Sequence, residues 1–268
     1  MNLPIAVLIV LGAAAVAAVV SALVHRKAKQ PLFADSGRGR PMITVTGTIF
    51  AVVLAFVIFA GFQTYDGART GAQSEAAAVL DMGRTAAFFP ATARDQVRTD
   101  LVCYARAVVS QEWPAMRNGH PSPLVEQWVA AYRGVVGQLD LRSAREQLGL
   151  QQFLNEAGTR TAGRLQRLAE DTPSVPAPLW LALLFAGCMT VALQLAMADP
   201  RERASIQALM VAGLASVVAA SLLIVYFLDH PYQQSGGIQP TAMRQTLVLM
   251  RGLEPGLRPG CSQSGRPA

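Results

Sequence analysis

Apolar and polar residues fall along this chain in long blocks. Residues 3–24 carry no charge and end against His25, Arg26, Lys27 and Lys29. Residues 42–64, MITVTGTIFAVVLAFVIFAGFQT, form a second uncharged block, and 179–198 and 204–228 form two more. At about 1.5 Å of rise per residue, each block is long enough for the roughly 30 Å hydrocarbon core of a bilayer. The pattern predicts four transmembrane helices. In the first, the basic cluster follows the apolar run, the reverse of a secretory signal peptide, so it is read as a retained span. The second block runs on without a proline past Tyr65 and Asp66 into ARTGAQSEAAAVLDMGRTAAFF, which predicts one long helix that leaves the membrane for water.

Between the second and third blocks the period changes to that of amphipathic helices. Residues 65–176 are read as an aqueous helical bundle. Pro90 ends its first segment, and Thr92 with Asp95 offers a weak capping box for the next, whose stripe is Val97, Leu101, Tyr104, Val108 and Val109. That helix is expected to bend at Pro114 and to stop near Asn118 and Gly119. Ser122 and Pro123 mark an N-cap and first helical position for a helix with Leu124, Trp128 and Tyr132 on one face, ending near Asp140. Ser143 and Glu146 form a better capping box for a last helix running to about Glu170, with Leu150, Leu154, Leu165 and Leu168 as its apolar stripe. The linker 30–41 reads as a short loop. After the fourth span, residues 229–268 read as a soluble tail with a short helix near 241–251 and a disordered end. The fold class is therefore an all-α integral membrane protein of four transmembrane helices, with a helical bundle inserted between spans two and three.

Composition agrees with this reading: 52% of residues are hydrophobic and only 15% charged, where soluble domains have about 25% charged. The formal charge of +6 does not mark a nucleic-acid face. Residues 66–176 hold twelve Arg and twelve acidic residues, and the excess sits in the first loop and the tail. Short-loop cations orient membrane proteins. Arg26, Lys27, Lys29, Arg38 and Arg40 in the first loop, with Arg201 and Arg203 between spans three and four, place both loops in the cytoplasm of a bacterial inner membrane. The bundle and both termini then lie outside. There Cys103 and Cys261 occupy an oxidising space; they either pair or remain a buried thiol and a tail thiol. The cysteines and histidines show no metal-ligand spacing, so neither metal nor cofactor is expected.

Several residues together resemble a known family. Gln63, Thr64, Tyr65 and Asp66 at the end of a span are followed by Glu75 and Ala76. Tyr104-Ala-Arg-Ala-Val-Val, then Glu112, Trp113 and Pro114, come next, and Leu228, Asp229, His230 and Pro231 follow the fourth span. This order resembles the bacterial bestrophin-like membrane proteins over about residues 44–250. The chain departs from that pattern at Gly83 and Tyr232, and it has no acidic run like the calcium clasp of animal bestrophins. The resemblance implies four spans, a helical insert and a distant likeness to pentameric chloride channels. Those channels hold their helical domain in the cytoplasm, the opposite of the orientation read from the charges. The family-motif residues carried over are Tyr65, Asp66, Glu75, Arg84, Tyr104, Glu112, Trp113, Pro114, Asp229 and Pro231.

Other candidates come from the residues themselves. Gly47, Ala51 and Ala55, and Ala208, Ala212, Ser216 and Ala220, repeat every fourth position, a spacing that lets helices approach closely either within one subunit or between subunits. Phe56, Phe59 and Phe62 form either a dewetting constriction or lipid-facing packing. Thr44 and Thr48, with Thr46, are candidate pore-lining hydroxyls. Glu75, Arg84, Glu112 and Trp113 form either a buried ion-paired core or a ligand site. No span contains an ionisable residue, which argues against a proton- or ion-coupled transporter. Glu112 has no His, Ser or Cys at catalytic spacing, which argues against an enzyme. The expected function is an oligomeric passive anion channel, with the lipid bilayer, copies of itself and chloride or other small anions as partners. The alternative is a non-conducting, membrane-anchored sensory or scaffolding protein whose bundle binds a partner.

Overall fold

The structure, a computed structural model, describes residues 3–27, 36–116, 120–170, 174–197, 202–232 and 236–268. Among these it is all helical: α1 Leu3–Lys27, α2 Ser36–Thr85, α3 Ala91–Ala107, α4 Trp113–Met116, α5 Pro123–Gly137, α6 Ala144–Ala169, α7 Ala177–Ala196, α8 Ala204–Asp229 and α9 Thr241–Leu253. Four helices, α1, α2, α7 and α8, are long and apolar enough to cross a membrane. The chain divides into two compact units. One comprises Met1–Thr64, Pro173–His230 and Gln234–Gly236, and the other Tyr65–Thr172, Pro231–Gln233 and Gly237–Ala268.

The first unit is held by apolar packing between thin helical faces. α1 lies along α8 through Ala17, Val211 and Ala215. α2 contributes Phe50, Leu54 and Val57 to a cluster with Leu183 of α7 and Val218 and Val225 of α8. Close approach depends on small residues: a Cβ on Gly61 would stand 3.1 Å from the Leu228 side chain, and one on Gly187 would stand 2.8 Å from Val218. Asp229 closes the end of α8. Its carboxylate accepts the Ser174 and Val175 N–H groups at 2.7 and 2.9 Å and the Trp180 indole N–H at 3.3 Å. It thus ties the end of α8 to the backbone entering α7, where orphan N–H groups favour an anion.

The second unit has one continuous core. α3 is buried nearly all round, from Val97 to Ala107, and the end of α2, α5, α6, α9 and the C-terminal segment surround it. The boundary of α3 differs from the expected one: the helix begins at Ala91 behind Pro90, so Thr92 lies inside the first turn and makes no cap. Ser122 stands at the N-cap of α5 with Pro123 at its first position, and α5 ends at Gly137. Ser143 and Glu146 make the complete capping box of α6.

The irregularity near Pro114 is a π-helical turn over Val108–Glu112, with Pro114 following inside α4. Proline removes one N–H and its ring crowds the carbonyl four residues back. Widening the turn just before it lets the chain continue helically. The expected stop near Asn118 and Gly119 lies outside the described residues. Residues Ser36–Pro41, read from sequence as loop, belong to α2; Pro41 there forfeits a single intrahelical bond near the helix start. Of that linker, residues 30–35 lie outside the described residues.

The chain's end corrects the expectation of disorder. Cys103 and Cys261 form a disulfide with Cα atoms 5.8 Å apart. Ser262 N–H donates to the Arg266 C=O at 2.9 Å and Ala268 N–H to the Gly260 C=O at 3.1 Å, closing a small loop on itself. A segment poor in apolar residues is ordered here by a covalent link and by hydrogen bonds to its backbone, neither of which leaves a periodic trace in sequence.

Candidate functional site

The second unit holds a buried cluster of charge. Glu75 projects from α2, Glu112 from the π-turn, and Arg160, Arg164 and Arg167 from one face of α6, all buried. Arg167 donates through Nε to Glu75 Oε2 at 2.6 Å and through Nη2 to Glu75 Oε1 at 3.1 Å and Glu112 Oε1 at 3.2 Å. Arg164 Nε reaches Glu112 Oε1 at 3.0 Å, and its Nη1 pairs with Glu126 at the rim. The Tyr104 hydroxyl donates to Glu75 Oε1 at 2.6 Å. The Arg167 guanidinium lies 5.0 Å from the Trp113 ring centre, a cation–π contact. Arg160 stands apart from the carboxylates. It donates to the Tyr132 hydroxyl at 2.7 Å and lies over the Tyr104 and Tyr132 rings, while its Nε has no hydrogen-bond partner among the described residues.

Glycine makes this meeting of α2 and α6 sterically feasible. A Cβ on Gly163 would stand 2.7 Å from the Glu75 nitrogen, and one on Gly71 would stand 2.9 Å from the Gly163 carbonyl. The electrostatics follow from burial. Burial works against the charge on Arg167, but Glu75 and Glu112 outweigh it and raise its pKa. Burial raises Glu112 above the ordinary carboxylate range, with Arg167 and Arg164 pulling it back. Burial and Glu75 hold the Tyr104 phenol well above its usual value. The guanidinium groups occupy the carboxylate oxygens, so the cluster locks the register of α2, α3 and α6 and does not present a free base.

The family-motif residues are placed as follows. Glu75, Tyr104, Glu112 and Trp113 meet in this cluster. Arg84 does not join it: it is exposed and pairs with Asp81 at 3.0 Å, because it lies on the opposite side of α2 from Glu75. Tyr65 is half-buried against the core, Asp66 is exposed, and Pro114 is exposed beside buried Trp113. Pro231 is buried and its C=O accepts the Ile238 N–H at 2.8 Å. The arginines that do pair were legible only as a spacing: Arg160, Arg164 and Arg167 recur at i, i+4 and i+7, the period of a core face. The stripe expected for α6 is reversed at two of its positions, since Leu154 and Leu165 are 54% and 62% exposed.

The candidate pore residues lie together on the side of α2 away from the rest of its unit. Phe56, Phe59 and Phe62 are 71%, 61% and 57% exposed, and Thr44 and Thr48 are exposed on the same side. The Thr48 hydroxyl donates to the Thr44 C=O at 2.7 Å. Ala51 and Ala55 are exposed and no atom comes within 4 Å of a Cβ on Gly47, so this small-residue stripe does not pack within the subunit. Ala208, Ala212, Ser216 and Ala220 are half-buried on α8.

A family model described as a bestrophin-like domain matches residues 7–243. The chain belongs to the bestrophin-like family. Two crystal structures of a membrane protein, one with a leucine-to-alanine and one with a glycine-to-alanine substitution, are similar to this bestrophin-like chain. Both have a TM-score of 0.67 and 14% identity; the first covers 92% of this chain and 99% of its own, the second 98% and 100%. A bacterial bestrophin homolog from Klebsiella pneumoniae has a TM-score of 0.63 at 15% identity, covering 92% of this chain and 98% of its own. No curated protein matches by sequence. At these identities the structural likeness is one of fold, and the bestrophin-like chain is a multi-pass membrane protein.

Proposed function

We propose that this bestrophin-like protein is an oligomeric, passive anion-conducting pore of the bacterial inner membrane, lined by the outer side of α2. The observation that carries this reading is the continuous uncovered side of α2 from Thr44 to Phe62, hydroxyls at one end and three phenylalanines at the other. Copies arranged with this side inward would enclose a path with hydroxyl dipoles followed by an apolar constriction. The second unit supports an oligomer. Leu148, Leu154 and Leu165 of α6 are 67%, 54% and 62% exposed, and in a unit read as lying in water exposed apolar groups favour burial against another copy. The disulfide supports an orientation with the second unit and both termini outside the cytoplasm, since disulfides persist in oxidising compartments. Chloride efflux from liposomes carrying the purified protein tests the reading, with empty liposomes as control. Efflux that changes in Phe59→Ala and in Thr48→Val is expected; folded, inserted protein that passes no chloride would overturn it.

A further inference from the structure

The C-terminal segment lies on α3 and α5 as a bound peptide would. Arg106 Nη1 donates to the backbone carbonyls of Cys261 and Ser262 at 2.9 and 3.3 Å, Ser110 Oγ lies 2.7 Å from the Ser264 carbonyl, and the Trp128 indole N–H donates to the Gly265 carbonyl at 2.7 Å. These contacts read backbone, not side chains. Two positions demand particular residues. Gly265 has a φ of +75°, and a Cβ there would stand 2.7 Å from the Ala107 Cα; Cys261 is bonded to Cys103. Among the described residues buried Arg106 has no carboxylate partner, and its Nε has no hydrogen-bond partner. Its cation is matched here to peptide carbonyls and, at 3.8 Å, to the Cys261 Sγ. The segment is self-contained, because the bonds from Ser262 to Arg266 and from Ala268 to Gly260 close it into one small loop. The preceding EPGLRPG, with two prolines and two glycines, supplies a hinge.

We propose that Cys103, Arg106, Ala107, Ser110 and Trp128 form a peptide-binding groove occupied in cis by the chain's own residues 257–268, and that thiol–disulfide exchange opens it. The reductant is a dithiol, small or protein-borne. Cys103 is 0% exposed and Cys261 6%, so the incoming thiolate attacks Cys261 Sγ. The protein S–S bond breaks, Cys103 leaves as a thiolate and takes up a proton, and Cys261 carries a mixed disulfide. The donor's second thiol displaces Cys261, so that the protein gains two thiols and the donor becomes a disulfide. Hydrogen bonds to its backbone and the packing of Leu257 on the core then retain the loop, and it exchanges with solvent or with another peptide bearing a cysteine and, four residues on, a glycine. The groove adjoins the π-turn that delivers Glu112 to Arg164 and Arg167.

The test uses the full chain carrying Cys188→Ser, which removes the remaining cysteine. Hydrogen exchange is compared before and after dithiothreitol. The reduced protein is then offered a peptide of sequence 257–268, activated at its cysteine as a mixed disulfide. Exchange over 257–268 is expected to rise at least about tenfold on reduction while α3 and α6 keep their protection. One peptide should attach at Cys103 besides any at the released Cys261, and the Cys103 attachment should be slower in Arg106→Ala and in the milder Ser110→Ala. Unchanged protection of the segment, protection lost across α3 and α6 as well, or release without capture at Cys103 would each overturn the proposal.

Discussion

The two ends of α2 obey different rules. Between Thr44 and Gly61 the helix buries only a narrow apolar edge, Phe50, Leu54 and Val57, and leaves Thr44, Thr48 and Phe59 uncovered; between Ala68 and Thr85 it is a core helix that buries Glu75 completely. In a membrane span an ionised side chain is expensive, and residues 42–64 of α2 carry none. In the second unit a buried carboxylate is sustained by arginines from another helix. One helix of 50 residues, about 75 Å long at 1.5 Å per residue, thus carries an uncovered face at one end and a rigid anchor at the other.

The contrast is most sharply broken at Arg167. Arg167→Met leaves Glu75 and Glu112 short of their shared cation, and should cost about 3–5 kcal/mol, the range for breaking a buried pair from one side. A fall in the thermal midpoint of the detergent-solubilised protein checks this. Adding Glu75→Gln should recover part of the loss, and strict additivity of the two changes would contradict the coupling.

Gly163→Ala comes next. Its Cβ would meet backbone of α2 at 2.7 and 2.8 Å, so overpacking of about 1–3 kcal/mol should exceed the gain in helix propensity. Gly134→Ala on α5 meets nothing within 4 Å and should stabilise by up to about 1 kcal/mol. The same chemical change is expected to shift the melting temperature in opposite directions.

Asp100 gives a smaller effect with a definite pH signature. Its Oδ1 accepts from Gln96 at 3.0 Å, its Oδ2 has no partner, and burial pushes its pKa up from 3.8 to about 6. A carboxyl raised in the folded state binds its proton more tightly there than when unfolded. Its contribution is therefore greatest at low pH and is lost as pH rises from 3.8 to about 6. Asp100→Asn should flatten the stability profile across that window and stabilise the protein above it by about 1–2 kcal/mol, less than the full linkage because the new amide is itself incompletely paired. An unchanged profile would assign the pH dependence elsewhere.

The four spans were legible because a bilayer imposes one crude demand, about twenty residues without charge. The α6 start was legible because Ser143 and Glu146 satisfy a local geometry. The face of α6 was not, because the leucine period and the arginine period both fit a helix. Only the positions of Glu75 and Glu112, far away in sequence, decide that the arginines turn inward. Arg84 misled for the same reason: it is near Glu75 in sequence but on the other side of α2. The ordered tail could not be read because its anchors are a disulfide and backbone carbonyls. Glu75, Tyr104, Glu112 and Trp113 were singled out by family likeness; their arginine partners required the fold.

The most direct test of the account is chloride efflux through Phe59→Cys protein in liposomes, in a Cys188→Ser background, before and after a charged, water-soluble thiol reagent. If the uncovered side of α2 lines an aqueous path, the reagent reaches position 59 and efflux changes sharply, while the same reagent leaves the Phe59 parent unaffected. Efflux that persists unaltered with position 59 unmodified would place that side against lipid and contradict the pore.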